Sequence, residues 1–65
     1  MVRVVLLREE QILDLAYEGP AQGLLPLVGY SVETAVVLCN GVPIEEEDEV
    51  GEGDEVRILP VVSGG

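Results

Sequence analysis

The chain has 65 residues, too few for two hydrophobic cores, so we expect a single domain. Thirteen acidic residues against three arginines give a formal net charge of −10 at pH 7, which argues against nucleic-acid binding because phosphate contacts require cations. The chain has no histidine, the commonest general base and metal ligand, so a self-contained hydrolase or a zinc site is not expected. Its single cysteine excludes an intramolecular disulfide.

The hydrophobic residues predict an aliphatic core and a soluble protein. They make up 48% of the chain and are mostly leucine and valine, with only two tyrosines and no Phe or Trp. The apolar start of the chain is short and ends at charged residues, which is unlike a signal peptide. No apolar run approaches the ~20 residues of a membrane span. We therefore expect a cytoplasmic monomer with no membrane partner.

The first seventeen residues predict a β-hairpin. Val, Leu and β-branched positions from Met1 to Leu7 indicate a strand that is buried on both faces for much of its length. Residues 8–10 form a polar turn. From Gln11 to Tyr17 apolar residues alternate, with positions 13, 15 and 17 on one face, which is typical of a half-buried strand.

A short helix is predicted after the break at residues 18–20. Three aliphatic residues have the i, i+3, i+4 spacing of one helix face, namely Leu24, Leu27 and Val28, and Leu25 lies alongside that face. Pro26 would remove a hydrogen bond inside a helix but not in its first turn. We therefore expect a helix that starts near Gln22 or Gly23, or one that is kinked at Pro26. Gly29 is a favourable C-terminal stop.

Two further extended segments follow the helix. The segment Thr34–Cys39 is strongly apolar and predicts a strand, and Asn40-Gly41 is the strongest turn signal in the chain. The segment 42–44 is a short extended piece that Pro43 restricts to a sheet edge or a connection. Cys39 could be a sulfur-relay thiol, but no neighbouring cation lowers its pKa, and the apolar context favours an inert core residue.

An acidic segment separates these strands from the last one. Eight of the eleven residues from Glu45 to Glu55 are acidic. Their spacing lacks the alternating pattern of a calcium loop, so a solvated acidic face is favoured over a metal site. The closing strand, Glu55–Val61, should turn Val56 and Ile58 inward and Arg57 outward.

This order of elements predicts an α+β fold in which one helix lies across a mixed sheet of four to five strands. The first and last strands are the most apolar and are expected at the sheet centre. We expect the domain to span residues 1–61 and a flexible tail to span residues 62–65.

The chain ends in two glycines, Gly64 and Gly65, which have no Cβ and suit a terminus that is threaded into an enzyme's active site. A chance flexible end has the same composition. Val62 and Ser63 would contact the channel that receives the tail, or they are simply disordered. An exposed apolar patch at Leu59, Val61 and Val62 would suit partner docking, although these residues could equally form the edge of the core. Arg57 could pair with an acidic partner or offset the acidic segment.

Four segments together resemble the ubiquitin-like sulfur carrier family, which has the β-grasp fold. They are Leu24–Gly29, similar to the family's helix ending in glycine; Val36–Gly41, a strand running into Asn-Gly; Gly53–Val56, a Gly-Asp-Glu-Val turn; and Pro60–Gly65, the terminal signature. The family includes the thiazole-synthesis carrier, the small molybdopterin synthase subunit and small archaeal ubiquitin-like modifiers. This chain departs from the pattern at Pro26 and in the spacing of residues 51–53.

The resemblance implies a protein co-substrate rather than an enzyme. An adenylating enzyme of the ubiquitin-activating type, using ATP and Mg²⁺ that this chain does not itself bind, would activate the carboxylate of Gly65. A sulfur donor of the cysteine desulfurase or rhodanese type would then convert it to a thiocarboxylate. A synthase or thiolase would pass the sulfur to thiazole, molybdopterin or a tRNA base, a choice that stays open. The alternatives are conjugation of Gly65 to lysines of other proteins and a plain interaction module.

Overall fold

The computed structural model describes residues 1–61, which form seven strands and one helical segment. The strands are β1 (Val2–Leu6), β2 (Gln11–Leu15), β3 (Gly19–Pro20), β4 (Ala35–Cys39), β5 (Val42–Pro43), β6 (Glu49–Val50) and β7 (Glu55–Pro60). The helical segment is an α-helix, α1 (Ala21–Leu24), that continues directly into a 3₁₀ helix (Leu25–Val28).

Five strands form one mixed sheet in the order β2-β1-β7-β4-β5. The β1–β7 pair is parallel and the other pairs are antiparallel. The predicted N-terminal hairpin, the central position of the first and last strands, and the edge position of the strand that contains Pro43 are therefore confirmed. The strands end one or two residues earlier than predicted at Leu15 and Pro60, and β4 begins one residue later, at Ala35.

Strand β1 is buried on one face only, so the prediction of burial on both faces is wrong. Val2, Val4 and Leu6 are at most 4% exposed, whereas Arg3 between them is exposed. The physical reason is that the helical segment covers one face of the sheet, and no second layer covers the other face within residues 1–61. Successive side chains of this apolar strand therefore point alternately to the core and away from it.

The helical segment begins at Ala21, one residue before the predicted start, and changes type at Leu25. Pro26 falls in the first turn of the 3₁₀ helix, where a missing N–H costs little. Gly29 adopts a left-handed conformation with φ of 84° and ends the helix, as predicted. The proline is thus accommodated by a change of helix type.

The change of helix type also alters which side chains reach the core. Leu27, predicted on the core face, is 62% exposed, whereas Leu25 is 1% exposed. In a 3₁₀ helix residues three apart lie on the same side, so Leu25 and Val28 point to the sheet and Leu27 points to solvent. The α-helical spacing was the wrong template for this half of the segment.

The acidic segment is less detached from the domain than its composition predicts. Its strand β6 pairs with β3, and Val50 is 2% exposed in the core. Its backbone also caps the helix, because Ala21 N–H donates to the Asp48 carbonyl and Gln22 N–H donates to the Glu46 carbonyl, both at 2.9 Å. The side chains from residue 45 to residue 49 are nevertheless exposed, in agreement with a solvated acidic face.

The core is aliphatic, as predicted. Its buried members come from both strands and helices: Val2, Val4, Leu6, Ala21, Leu24, Leu25, Val37, Val50, Val56 and Ile58. In the part of the chain that the structure describes, no helix is long and apolar enough to cross a membrane.

Candidate docking face and tail

The side of the sheet that faces away from the helix, here called the outer face, carries a group of apolar side chains. The pairing register places them in neighbouring rows around Arg57. Val5 of β1 and Leu38 of β4 lie opposite Arg57 on its two sides. Ile12 lies opposite Val5, and Val36 lies opposite Leu59. The apolar members are Val5, Leu7, Ile12, Val36, Leu38, Leu59 and Val61. Alternation along β7 turns Val56 and Ile58 inward and Arg57 outward, as predicted.

Much of this apolar surface is open to solvent. Ile12 is 64% exposed, Val36 and Val61 are 43% exposed, and Leu7 is 40% exposed. Such a contiguous apolar patch on a chain with a net charge of −10 is typical of an interaction surface. Leu59 and Val61 therefore belong to the outer face rather than to the edge of the core.

The outer face has a polar end and an apolar end. At the start of β7, Arg3 lies opposite both Asp14 and Glu55, with its Nε 3.6 Å from an Asp14 carboxylate oxygen. The apolar rows lie towards the end of β7, where the chain continues to residue 62. Arg57 Nε lies 3.3 Å from a Glu55 carboxylate oxygen. Exposed pairs of this kind contribute little to stability, so the arginine remains available for a partner.

Strand pairing holds the chain in place up to residue 61, because Val61 N–H donates to the Thr34 carbonyl at 2.9 Å. The remaining tail residues lie outside the described residues, so their predicted roles stay predictions: Val62, Ser63 and Gly64 as channel contacts and Gly65 as the reactive terminus.

Two motifs that the sequence presents separately contact each other at the start of β7. Asn40, with φ of 53°, and Gly41 form the turn after β4. The Asn40 side chain donates from Nδ2 to an Asp54 carboxylate oxygen at 3.1 Å, and its Oδ1 accepts from Glu55 N–H at 3.0 Å. The Asn-Gly turn therefore fixes the Gly-Asp-Glu-Val turn and with it the position of β7. Sequence reasoning missed this contact because the two motifs are far apart in the chain.

The environment of Cys39 favours the inert interpretation of this thiol. Its side chain is half-buried and lies on the core side of β4, where Cys39 pairs with Val56. Burial raises the pKa of the Cys39 thiol, and the negative charge of Asp54 raises it further. A raised pKa leaves less of the nucleophilic thiolate, which is the opposite of what a relay cysteine needs.

The acidic side chains of residues 45–55 are not clustered in the way that a metal site requires. Within residues 1–61 no three His, Cys, Asp or Glu side chains are grouped so that they could hold a metal ion.

Comparison with known families decides the family of the chain. A family model, that of the ThiS family, matches residues 4–65. The chain belongs to the ThiS family, the ubiquitin-like sulfur carriers. ThiS proteins have the β-grasp fold, which agrees with the five-stranded mixed sheet and its short helix. They are small carrier proteins rather than enzymes, and they work with adenylating enzymes and sulfur-transfer partners. The ThiS match indicates a sulfur carrier role for this chain.

Proposed function

We propose that this chain carries sulfur as a thiocarboxylate on Gly65, after adenylation of the Gly65 carboxylate by a partner enzyme. The observation that carries the proposal is the ThiS family match, which continues through Gly65. A second support is that β7 both contributes to the apolar outer face and leads into the Gly64-Gly65 ending.

The proposed chemistry is needed because a free carboxylate is a poor acyl donor. The Gly65 carboxylate attacks the α-phosphorus of ATP, which forms an acyl-adenylate and releases pyrophosphate. The terminal sulfur of an enzyme persulfide then attacks the carbonyl carbon and AMP leaves, giving an acyl disulfide. A second thiol of the donor system attacks the enzyme-bound sulfur of that acyl disulfide. The S–S bond breaks, the thiocarboxylate leaves, and the donor system is left with a disulfide. ATP and Mg²⁺ belong to the adenylating enzyme in this scheme.

In this proposal the outer face docks on the adenylating enzyme and orients the tail. Leu59 and Val61 provide apolar contact, and Arg57 provides a cation for an acidic group of the enzyme. The four residues after Val61 can span roughly 13 Å when extended. Two glycines at the end let the surrounding enzyme backbone approach closely. The tail would thus enter a narrow cleft while the domain stays outside.

The sulfur acceptor is part of the proposal only as a class. A thiazole precursor, a molybdopterin precursor and a tRNA base are all compatible with a thiocarboxylate donor, and a dedicated synthase or thiolase would make the choice. The family match does not favour conjugation to lysines of other proteins, so we do not propose it.

The test is intact-mass spectrometry of the 65-residue protein after incubation with an adenylating enzyme from the same genome, ATP, Mg²⁺ and sulfide. We expect a mass gain equal to the difference between one sulfur and one oxygen atom, located on the C-terminal peptide. A variant that lacks Gly65 and a variant with one alanine added after Gly65 should both keep their original mass. The substitution Leu27→Ala, at an exposed position of the 3₁₀ helix and outside the outer face, serves as a matched control that should still gain sulfur.

The proposal fails if this protein keeps its mass while, under the same conditions, the same adenylating enzyme adds sulfur to a different carrier protein that is already known to be its substrate. It also fails if the sulfur is found on Cys39 instead of on the terminal glycine.

A further inference from the structure

One edge of the main sheet is incompletely covered. At the two ends of β4, even-numbered residues bond to the β7 side: the Thr34 carbonyl accepts from Val61 N–H, and Asn40 N–H donates to the Glu55 carbonyl. Because backbone groups alternate in direction along a strand, the odd-numbered residues of β4 direct their N–H and C=O groups to the opposite side. The short strand β5 covers only the far end of that side, and its last bond runs from Ile44 N–H to the Val37 carbonyl at 3.0 Å. Within residues 1–61, the N–H and C=O of Ala35 and the N–H of Val37 have no backbone partner.

A cleft of about 210 Å³ with a partly apolar and partly polar lining opens beside this edge. Its walls are Leu25, Val32, Ala35, Val37 and Ile44, and Val36 borders it on the outer-face side. Sites that enclose a whole small-molecule ligand are usually larger, at roughly 300–1,000 Å³. The size therefore suits a side chain of a bound peptide better than a free ligand.

The charge of the cleft selects among possible occupants. Glu45 and Glu46 line its rim and are exposed. A second copy of this chain has a net charge of −10 and would be repelled. The four residues that follow Val61 contain no cation that could pair with the rim. A basic segment of another protein is the complementary partner.

We propose that this cleft, which we call the edge cleft, binds a short extended segment of a partner protein in which one aliphatic residue is flanked at alternate positions by basic residues. The residue opposite Ala35 would exchange two backbone hydrogen bonds with it, which is the arrangement of strand addition to a sheet edge. Its side chain would enter the cleft on the inner side of the sheet. Because side chains two apart share a face, a neighbouring basic residue would reach Glu45 or Glu46.

The edge cleft is separate from the outer face except at Val36. A partner held there would leave Arg57, Leu59 and Val61 uncovered, so the carrier could bind it and an adenylating enzyme together. This inference does not depend on the sulfur chemistry.

The test is an amide NMR titration of the ¹⁵N-labelled protein with the peptide acetyl-Arg-Thr-Val-Thr-Arg-amide. We expect saturable shifts at the Ala35 and Val37 amides and in the residues that line the edge cleft. The double substitution Glu45→Arg/Glu46→Arg should weaken binding roughly tenfold or more, because attraction becomes repulsion at two positions. The control Glu47→Arg/Glu49→Arg makes the same change of net charge in the same segment, outside the edge cleft, and should weaken binding less than about twofold.

A second peptide tests the backbone pairing. N-methylation of its central valine removes one donor and should abolish the shifts at Ala35, while the charges stay the same.

Three outcomes would overturn the inference. The first is equal weakening by both double substitutions, which would mean non-specific charge attraction. The second is a set of shifts centred on the outer face around Arg57. The third is the same shifts at Ala35 in concentrated protein without peptide, which would identify a second copy as the occupant.

Discussion

Tyr17 limits what residue 23 can be, and this leads to a prediction with a definite sign. The Tyr17 hydroxyl donates to the Pro20 carbonyl at 2.5 Å and lies over Gly23 in α1. A Cβ on Gly23 would lie closer than 3.0 Å to the Tyr17 hydroxyl oxygen, a separation that real Cβ atoms essentially never show, but 3.4 Å from ring carbon Cζ. The obstacle is therefore a single oxygen atom.

The free-energy terms can be compared. Replacing glycine by alanine inside a helix normally stabilises by about 0.5–1 kcal/mol. Displacing the Tyr17 hydroxyl loses its hydrogen bond, worth about 1 kcal/mol, and forces the half-buried ring to shift, which costs about 1–3 kcal/mol. We therefore expect Gly23→Ala to destabilise the protein by about 1–3 kcal/mol. In the Tyr17→Phe background the oxygen is absent, and the same substitution should stabilise by about 0.5 kcal/mol.

Urea unfolding followed by far-UV circular dichroism would measure the four proteins of this double-mutant cycle. The expected coupling between the two substitutions is about 2 kcal/mol, well above the ~0.5 kcal/mol scatter of independent sites. If Gly23→Ala destabilises both backgrounds by the same amount, the hydroxyl contact is not the cause and the reasoning is refuted.

Further predictions concern the helix end, the core, the thiol and the outer face. Gly29→Ala should destabilise the protein by about 1–2 kcal/mol, because alanine is strained at a φ of 84°; no atom lies near enough to the new Cβ to add a clash. Gly29→Asn should cost less in the same urea assay, because asparagine tolerates this conformation better. Ile58→Ala removes a fully buried side chain at a cost of about 2–5 kcal/mol, comparable to the ~3–5 kcal/mol available to so small a core, so its dichroism should show a largely unfolded chain, whereas Leu27→Ala should stay folded. Alkylation of Cys39 by iodoacetamide should rise with pH to a midpoint above the ordinary thiol pKa, since burial disfavours the thiolate; a midpoint below it would contradict the structure. Leu59→Ser should raise the KM for this protein in pyrophosphate release by the adenylating enzyme and leave kcat unchanged; an unaltered KM would show that Leu59 is not part of the docking face.

Local patterns in the sequence were sufficient for much of the fold. Alternation placed Val56 and Ile58 inward and Arg57 outward, because side chains along a strand alternate whatever the strand pairs with. Gly29 and Asn40-Gly41 marked a helix end and a turn, because positive φ angles depend on the residue itself. Alternation alone left Leu59 and Val61 open between the outer face and the edge of the core, and the pairing of β4 with β7 placed Leu59 on the outer side.

Tertiary structure decided what depends on distant partners. Whether β1 is buried on one face or two depends on how many layers the chain can build, and the single helical segment covers only one. Leu25 rather than Leu27 lies in the core because the segment is a 3₁₀ helix from Leu25 onward. Val50 lies in the core, although it belongs to the acidic segment, because β6 pairs with β3, which is distant in the sequence.

The same distinction applies to the two candidate interaction sites. The di-glycine ending is a property of composition and was visible at once. The outer face as a continuous surface exists because β1 and β7, from opposite ends of the chain, pair in parallel at the sheet centre. The edge cleft exists because β5 stops short of Ala35. Residue types and local spacing are written in the sequence, whereas surfaces built from several strands arise only when long-range pairing sets the register.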